Sequence, residues 1–527
     1  MKIEKIFIKC VVLLLTCFSC YSSSKTFNGN NNLNSINKDI IVSNPSELIG
    51  AINNAKPGDV VVMKDGVWTD VMIDFSSVAT PKANITLRAQ NPGKVILTGN
   101  STLSFSKPYL IADGLLFKQG AISAKSISVI SFNSDHCRLT NCAIVDYNPV
   151  DYKTDYYWVF FAGSHNRMDH CFMSGKSNMK PVIQNNEEDA RYNQVDRCFI
   201  KDIPFIANAN GREILRIFGY GHADQTGDDG AYFIIENNLF DHAHGEGTEI
   251  VSLKSNHNIV RYNTVIASKG GLVGRRGKFN TFEGNFILGK GEAGTSGIRV
   301  AGANHRVFNN YVDNVTEDGL RLIAGEYFEK SLTGNFAPKK KNLPKYLQVQ
   351  NGYFAHNTFI NCGENGMNIG FSYKNDWPDL QMVLFPENNC FLNNLVYNCK
   401  ENAVNIEDVD KTPPLDIFNF KPNHFKGNIA FGQKVSNVSL PAGVTDIDPI
   451  LKGKSDGLFH LEPKSPAINT AEISDVGVDI SGNLRNKKND IGAEEYIGQN
   501  KVFRPLTANE VGPDWMINKL KVKLNNQ

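Results

Sequence analysis

The sequence predicts an all-β protein: a single-stranded right-handed parallel β-helix, or solenoid, with a short capping helix at its N-terminal end. Two observations lead to this fold class. A strand-like segment recurs along the chain with a polar residue at one fixed place, and the shortest steps between its copies are 22 to 25 residues. One coil of about this length, with alternating apolar residues and a fixed polar turn, is typical of β-solenoids.

The recurring segment has asparagine at its fifth position in most copies. The aligned copies are IADGLLF (111–117), RLTNCAI (138–144), RMDHCFM (167–173), QVDRCFI (194–200), IIENNLF (234–240), IVRYNTV (259–265), TFEGNFI (281–287), RVFNNYV (306–312), YFAHNTF (353–359), FLNNLVY (391–397) and HFKGNIA (424–430). An asparagine amide both donates and accepts hydrogen bonds, so stacked asparagines can satisfy turn backbone groups that would otherwise be buried unpaired. We expect Asn238, Asn263, Asn285 and Asn310 to point inward and stack.

The cysteines fit the same repeat. Three of the ten lie in the first 20 residues, and the remaining seven lack the spacing of a zinc site. Cys142, Cys171 and Cys198 occupy the ladder position, where cysteine can pack as a small hydrophobe. We therefore expect these three to be packing residues and not disulfide partners.

The N-terminal residues predict that the protein is exported from a bacterial cytoplasm. Residues 1–20 combine a basic start with a short apolar run, as in a signal peptide, and Cys20 after Ser19 resembles a lipoprotein cleavage site. The predicted organisation is a signal peptide (1–20), a linker (21–40), a β-helix catalytic domain (41–500) and a C-terminal surface segment (501–527). The expected location is periplasmic, outer-membrane-anchored or secreted, with a lipid anchor at Cys20 as the expected membrane contact.

Charge points to an anionic ligand, although the whole chain is nearly neutral. The net charge of +1 gives no global field that would favour nucleic acid. Five cations fall at similar places in successive predicted coils: Arg216, Lys254, Arg275, Arg299 and Arg321. Because like charges stacked in a sheet are destabilising, such a column suggests that an anionic polymer runs along it. Acidic polysaccharides, with a carboxylate on each sugar, are the expected partner.

At these residues the sequence resembles polysaccharide lyase family 6, the alginate lyase and chondroitinase B family. The resemblance spans most of the chain, including NGREILRIFG, ENNLFDHAHGEGTEIVSLKSN, RRGKFNTFEGNFILG and RPLTANEVGPDW. It implies a parallel β-helix that cleaves uronate glycans by β-elimination, most closely alginate. Carried over by position, it assigns the base to Lys254, its partner to Arg275 and a calcium site to Asn210, Glu246 and Glu249.

Two departures from the family pattern affect the metal. The family has two glutamates separated by one residue, which places both on one face of a strand, whereas Glu246 and Glu249 are separated by two. A bulge at Gly247 would restore the geometry. Arg276, where the family commonly has histidine, adds a second guanidinium for the substrate. We therefore expect Ca²⁺ as a candidate cofactor on which activity depends less than the family pattern implies.

The predicted chemistry begins with removal of the C5 proton of a uronate. A free lysine has a pKa of about 10.4, so Lys254 needs neighbouring cations to favour its neutral form. Cations or a metal would stabilise the developing charge on the sugar carboxylate. Arginine hardly deprotonates, so Arg275 is assigned to the leaving oxygen, and Arg275, a tyrosine or water remain candidates for the proton donor.

Several alternatives remain at this point. A dermatan sulfate or chondroitin lyase and a uronan C5-epimerase share the proton abstraction. A polygalacturonase-like hydrolase would need paired carboxylates flanking the bond, in place of a cationic groove. A non-catalytic glycan-binding β-helix would tolerate the loss of Lys254.

Overall fold

The computed structural model describes residues 38–123, 127–186, 190–219, 228–327, 346–373, 376–377, 380–407, 421–485, 488–497 and 504–516. The predicted signal peptide and the expected lipid anchor at Cys20 lie outside the described residues. Within them, no helix is long and apolar enough to cross a membrane.

Three long parallel sheets, wound coil by coil, form most of the described chain. The first contains Asp39–Val42, Val60–Met63, Ile85–Ala89, Leu110–Asp113, Arg138–Thr140, Arg167–Asp169, Gln194–Asp196, Ile234–Glu236, Ile259–Arg261, Thr281–Glu283, Arg306–Phe308, Tyr353–Ala355, Cys390–Leu392 and His424–Lys426. The second contains Met72–Phe75, Thr102–Phe105, Ser128–Phe132, Tyr157–Phe161, Ile183–Asn185, Leu215–Ile217, Glu249–Lys254, Gly270–Arg276, Thr295–Val300, Leu320–Ile323, Met367–Phe371 and Val404–Ile406. The third contains Gly66–Thr69, Val95–Gly99, Leu115–Gly120, Ala143–Val145, Phe172–Ser174, Phe199–Ile203, Leu239–Ala243, Thr264–Ile266, Phe286–Leu288, Tyr311–Asp313, Thr358–Ile360, Leu395–Tyr397, Asn428–Phe431 and Val444–Asp446. The predicted parallel β-helix is confirmed.

The predicted capping helix is also confirmed, at Pro45–Asn54. It begins after Asn44, whose side chain accepts a hydrogen bond from the Glu47 backbone N–H at 3.0 Å. Proline suits the first helical turn because its missing N–H would have no partner there. Leu48 and Ile52, one turn apart, are buried against the first coils.

The asparagine ladder forms at the turn between the first and third sheets. Each amide nitrogen donates to the next amide oxygen at 2.9 to 3.0 Å, along the series Asn238, Asn263, Asn285, Asn310, Asn357, Asn394 and Asn428. All seven side chains are buried. The residue before each is in the left-handed region, where Gly284 and Gly427 are unstrained and the others are held by the turn. The predicted inward stack is confirmed.

The cysteines at the ladder position pack as expected. Cys142, Cys171 and Cys198 are buried free thiols. The ladder continues across the change of residue type, because the Cys198 backbone N–H donates to the Asn238 amide oxygen at 2.9 Å.

The core fills the space between the three sheets with stacked apolar side chains. Phe105, Phe132 and Phe161 lie on consecutive coils with ring centroids 4.8 and 4.5 Å apart. Like residues stack because in-register parallel strands place equivalent side chains one strand spacing apart, ~4.8 Å. The same in-register pairing aligns the polar side chains on the outer face of the second sheet.

Two smaller antiparallel sheets lie outside the coils. The strands Gly325–Tyr327, Leu380–Leu384 and Asp376–Trp377 form one, and Leu451–Gly453 pairs with Phe459–Leu461 in the other. Nearer the C-terminus, Val511 and Trp515 pack on the outer face of the third sheet. The Trp515 indole N–H donates to the Asn141 backbone carbonyl at 2.9 Å.

Candidate active site

The candidate site lies on the outer face of the second sheet, where its strands lose their regular register. The strand Glu249–Lys254 pairs with Gly270–Arg276, and the pairing shifts twice, after Glu249 and again before Lys254. A residue added to one strand re-aims the side chains beside it, and such bulges occur often next to active sites. Here the two shifts leave Ile250 and Arg275 without a direct partner on the other strand.

These bulges correct the predicted cationic column. Arg299 and Arg321 are direct partners on adjacent strands, but Arg216 pairs with Ser252, and Lys254 pairs with Arg276. The predicted column assumed that the five cations occupy one equivalent position in each coil. Lys254 instead lies two residues beyond Ser252, the partner of Arg216, and the second shift places Arg276 and not Arg275 opposite Lys254. The cations share one face of the sheet without forming a single file.

Buried carboxylates lie among these cations. The Lys254 Nζ is 2.8 Å from Glu213 Oε1, and an Arg216 nitrogen is 3.2 Å from Glu213 Oε2. The Lys254 ammonium also lies 5.3 Å from the centre of the Phe218 ring. The Glu213 side chain is only 2% exposed, so both ion pairs are shielded from solvent on the carboxylate side. Like-charge repulsion between Lys254 and Arg216 is offset by the acid that they share.

Glu249 has the same role one coil further. Its carboxylate pairs with Arg299 and lies 3.5 Å from the Arg275 Nε, and the Ser252 hydroxyl donates to its other oxygen. The Arg275 guanidinium also stacks on Tyr346, 3.8 Å from the ring centre. Arg275 is therefore held between a carboxylate and an aromatic face.

Glu246 reaches the same place from a turn. It precedes the strand that begins at Glu249, and its neighbours Gly245 and Gly247 both have positive φ, 56° and 84°. The alternation of a regular strand therefore does not apply to this pair, and the carboxylates converge. The Glu246 carboxylate accepts from the Gly211 backbone N–H at 2.7 Å and from the Thr248 hydroxyl at 3.1 Å.

Glu213, Glu246 and Glu249 form an acidic triad, with oxygen atoms within 4.8 Å of one another. Three carboxylates suit a hard divalent cation such as Ca²⁺, which prefers oxygen ligands. The residues present therefore fit a metal, with Glu213 as a member that the sequence analysis did not assign. Asn210, which was assigned, is exposed.

The charge balance in the triad is uneven. Burial raises the pKa of Glu246, and the nearby carboxylates of Glu213 and Glu249 raise it further. Burial also opposes ionisation of Glu249, but Arg299, Arg275 and Lys254 hold the pKa of Glu249 below its ordinary value. A bound cation would therefore stabilise the ionised form of Glu246 more than that of Glu249, which cations already compensate.

The remaining predicted residues lie further along the face. Burial and the adjacent Arg275 lower the pKa of Arg276, whose electrostatic neighbours include Glu326. Arg321 is enclosed by acids: its guanidinium lies 2.6 Å from Asp318, 3.1 Å from Glu364 and 3.3 Å from Glu317.

A cleft of about 320 Å³ lies beside these groups. Thr248, Arg299 and Tyr346 line it near the triad, and Glu317 and Arg321 line it further along. Gly297, which lines the cleft, allows the next coil to approach closely, because a Cβ there would lie 1.9 Å from the Gly319 carbonyl oxygen. We refer to this cleft and the adjoining cationic face, from Arg216 to Arg321, as the groove.

Sequence reasoning missed Glu213, although a signal was present. The segments EILRI (213–217) and EIVSL (249–253) occupy consecutive coils with Leu215 opposite Val251, which places Glu213 and Glu249 at equivalent positions. The two segments were compared at Arg216 only, and the match between Glu213 and Glu249 was not used. Tyr346 was missed because it belongs to no repeat.

The chain is similar to solved polysaccharide lyases. The family model described as Chondroitinase B matches residues 42–458. A PL6 family polysaccharide lyase from Pseudopedobacter saltans is 42% identical, with a TM-score of 0.71 and coverage of 90% of this chain and 99% of that one. A mutant of the PL6 family alginate lyase AlyGC is 27% identical, with a TM-score of 0.72 and coverage of 91% and 59%.

A mannuronic acid specific family 6 lyase from human gut microbiota is 28% identical, with a TM-score of 0.64 and coverage of 78% of this chain and 91% of that one. No protein in the search of curated proteins matches the chain. The family match over most of the chain and the 42% identity over nearly the whole of a solved family member agree with the fold and the cationic groove. The chain belongs to polysaccharide lyase family 6.

Proposed function

We propose that this lyase cleaves alginate by β-elimination, with Lys254 as the base and Arg275 at the leaving oxygen. The observation that carries the proposal is the pairing of these two cations with adjacent buried glutamates beside one groove. Side chains held in this way need little reorganisation when charge develops on the substrate. The groove is cationic near Lys254, as a polyuronate requires.

The reaction removes the C5 proton of a uronate and breaks the bond between C4 and the glycosidic oxygen. Lys254 Nζ takes the proton, a C4–C5 double bond forms, and the leaving oxygen departs with the electron pair of its bond. For this step the Lys254 amine must be neutral and free of the Glu213 carboxylate. A substrate carboxylate that binds Arg299 and Arg275 would have its charge neutralised, which stabilises the developing enediolate.

Glu213, Glu246 and Glu249 would hold a divalent cation, which supplies further neutralisation of the substrate carboxylate when bound. The chain's own cations already do part of this work. Arg275 and Arg299 both reach Glu249, and Arg276 lies beside them. We therefore propose that calcium assists this lyase without being indispensable.

Alginate is favoured over dermatan sulfate by the named relatives above 25% identity, which include AlyGC, an alginate lyase, and a mannuronic acid specific lyase. The family model carries the name of a chondroitinase and keeps dermatan sulfate as the second candidate. A C5-epimerase would use the same base without breaking the chain.

The test is incubation of the protein with poly-mannuronate, poly-guluronate and dermatan sulfate, following the ultraviolet absorbance of unsaturated products. We expect absorbance with an alginate polymer and none with Lys254→Ala. Lys269→Ala is the control for loss of a lysine from an ion pair, because its Nζ lies 3.6 Å from Glu292, whose side chain is 38% exposed. Normal turnover by Lys254→Ala would exclude Lys254 as the base, and glycan binding without turnover by the wild type would favour a binding protein.

A further inference from the structure

The outer face of the second sheet changes sign along the groove. On the described coils from Leu215 to Val300, four cations share two glutamates: Arg216 and Lys254 contact Glu213, and Arg275 and Arg299 contact Glu249. On the next coils the ratio is reversed, since Arg321 alone contacts three carboxylates. A uronate chain that follows the groove past Arg299 therefore meets excess negative charge.

Two of those carboxylates face the solvent-accessible side. The side chains of Glu317 and Glu364 are 37% and 40% exposed, whereas Asp318 is fully buried. Asp318 is also saturated by structural hydrogen bonds, from the Arg321 Nε at 2.6 Å and from the side chains of Asn365 and Asn368 at 2.9 and 3.0 Å. Asp318 thus fixes Arg321 in place, and the other two acids remove its attraction for an incoming anion.

The partly buried side chains of Glu317 and Glu364 also lie near other acids. Burial raises the pKa of Glu317 despite the nearby Arg321, and burial together with Asp318 raises the pKa of Glu364. Because both side chains lie close to other acids, a substrate carboxylate placed beside them would be repelled. Arg321 also stacks on Phe371, 4.0 Å from the ring centre, which leaves little of its guanidinium accessible.

We propose that Glu317 and Glu364 end the anion-binding groove beyond Arg299, so that one of the two products is always short. The strand that carries Arg299 lies two coils from that of Lys254, ~10 Å at ordinary strand spacing. The cationic face therefore ends two coils from the base on this side, where the acids begin. On the other side Arg216 lies one coil from the base, and we place the longer part of the substrate beyond it. This proposal rests on the proposed uronan lyase activity, since it names how that groove selects chain length.

The test is the product profile of the double variant Glu317→Gln with Glu364→Gln on oligo-uronates of increasing length. The wild type is expected to release a product of one short, constant length from every substrate. In the variant we expect longer products and a kcat/KM on long oligomers about threefold to fivefold higher, the size of an exposed charge interaction. Both side chains are partly exposed and Asp318 still holds Arg321, so the variant keeps the fold.

Glu472→Gln is the matched control, because it removes an acid of similar exposure, 43% of its side chain, that pairs with Lys426 and does not line the cleft. It should leave the profile unchanged. An unchanged profile in the double variant, or internal cleavage by the wild type into long products on both sides, would overturn the proposal. Absence of lyase activity on every uronan would refute the proposed function instead. In that case, calorimetric binding of the same oligomers by the wild type and the double variant still tests the groove.

Discussion

Tyr346 gives a way to identify the group that protonates the leaving oxygen. Its ring lies 3.8 Å from the Arg275 guanidinium, and its backbone carbonyl accepts from the Glu326 N–H at 2.9 Å. Two roles fit this position. The ring holds Arg275 by a cation–π contact, or the hydroxyl delivers the proton.

The substitutions Tyr346→Phe and Tyr346→Ala separate these roles. A cation–π contact is worth about 0.5–1 kcal/mol at an exposed site and about 2 kcal/mol when desolvated. Arg275 is mostly buried, with 18% of its side chain exposed, so we take about 1–2 kcal/mol, a fall of roughly 5–30-fold in kcat/KM for Tyr346→Ala. If the ring alone matters, Tyr346→Phe keeps the stacking and stays near the wild-type rate.

The assay is the initial rate of unsaturated product formation on poly-mannuronate, across substrate concentrations and pH. Loss of general acid catalysis typically costs about 10²–10⁴-fold in rate. Such a loss in Tyr346→Phe, together with loss of one limb of the pH profile, would refute the platform role and assign the proton to the hydroxyl. Equal, near-normal rates in both variants would show that Arg275 needs no support from Tyr346.

Three further outcomes are expected. Chelator should slow the enzyme less than about tenfold, since arginines share the metal's task, and complete loss that calcium alone restores would contradict this. Asn285→Ala should lower the free energy of unfolding by about 3 kcal/mol or more, seen as an earlier urea midpoint, because it removes donors and acceptors to Asn263, Asn310 and Val260 and leaves buried partners unsatisfied. Burial raises the pKa of Cys137 to about 12, so this thiol stays protonated at neutral pH and should resist alkylation until the protein unfolds, as mass spectrometry after a reagent pulse would show.

The sequence contained enough to predict the coils because the ladder repeats a chemical requirement. At each turn, a residue must both accept from one neighbour and donate to the next, and asparagine meets that need at Asn238 and at every later rung to Asn428. Errors in loop length do not disturb such a pattern, since each copy is recognised on its own. Cysteine at the earlier rungs could be read in the same way, as a small buried side chain.

The alignment of Lys254 with Arg276, in place of Arg275, could not be predicted because it depends on irregular strand pairing. A single extra residue changes which side chains are direct neighbours, and the strands of Lys254 and Arg275 contain two such changes within six residues of each other. Gly245 and Gly247 have left-handed backbone conformations, and the turn that they form places the Glu246 carboxylate beside that of Glu249. The alternation of side chains in a regular strand would have placed the two on opposite faces. Bulges and glycine turns occur in single coils, so an alignment of the repeats does not reveal them.

The buried glutamates explain how the site tolerates its cations before a substrate arrives. An uncompensated file of guanidinium and ammonium groups would oppose folding, and an anionic polymer is not present when the chain folds. Glu213 and Glu249 supply the missing charge from below, and each holds two cations at ion-pair distance on the groove side. A bound uronate carboxylate then competes for partners that are already oriented, so its binding exchanges one ion pair for another and little positional entropy is lost. The same exchange would separate Lys254 from Glu213 when the base is needed, which ties the stability of the empty groove to the reaction that it performs.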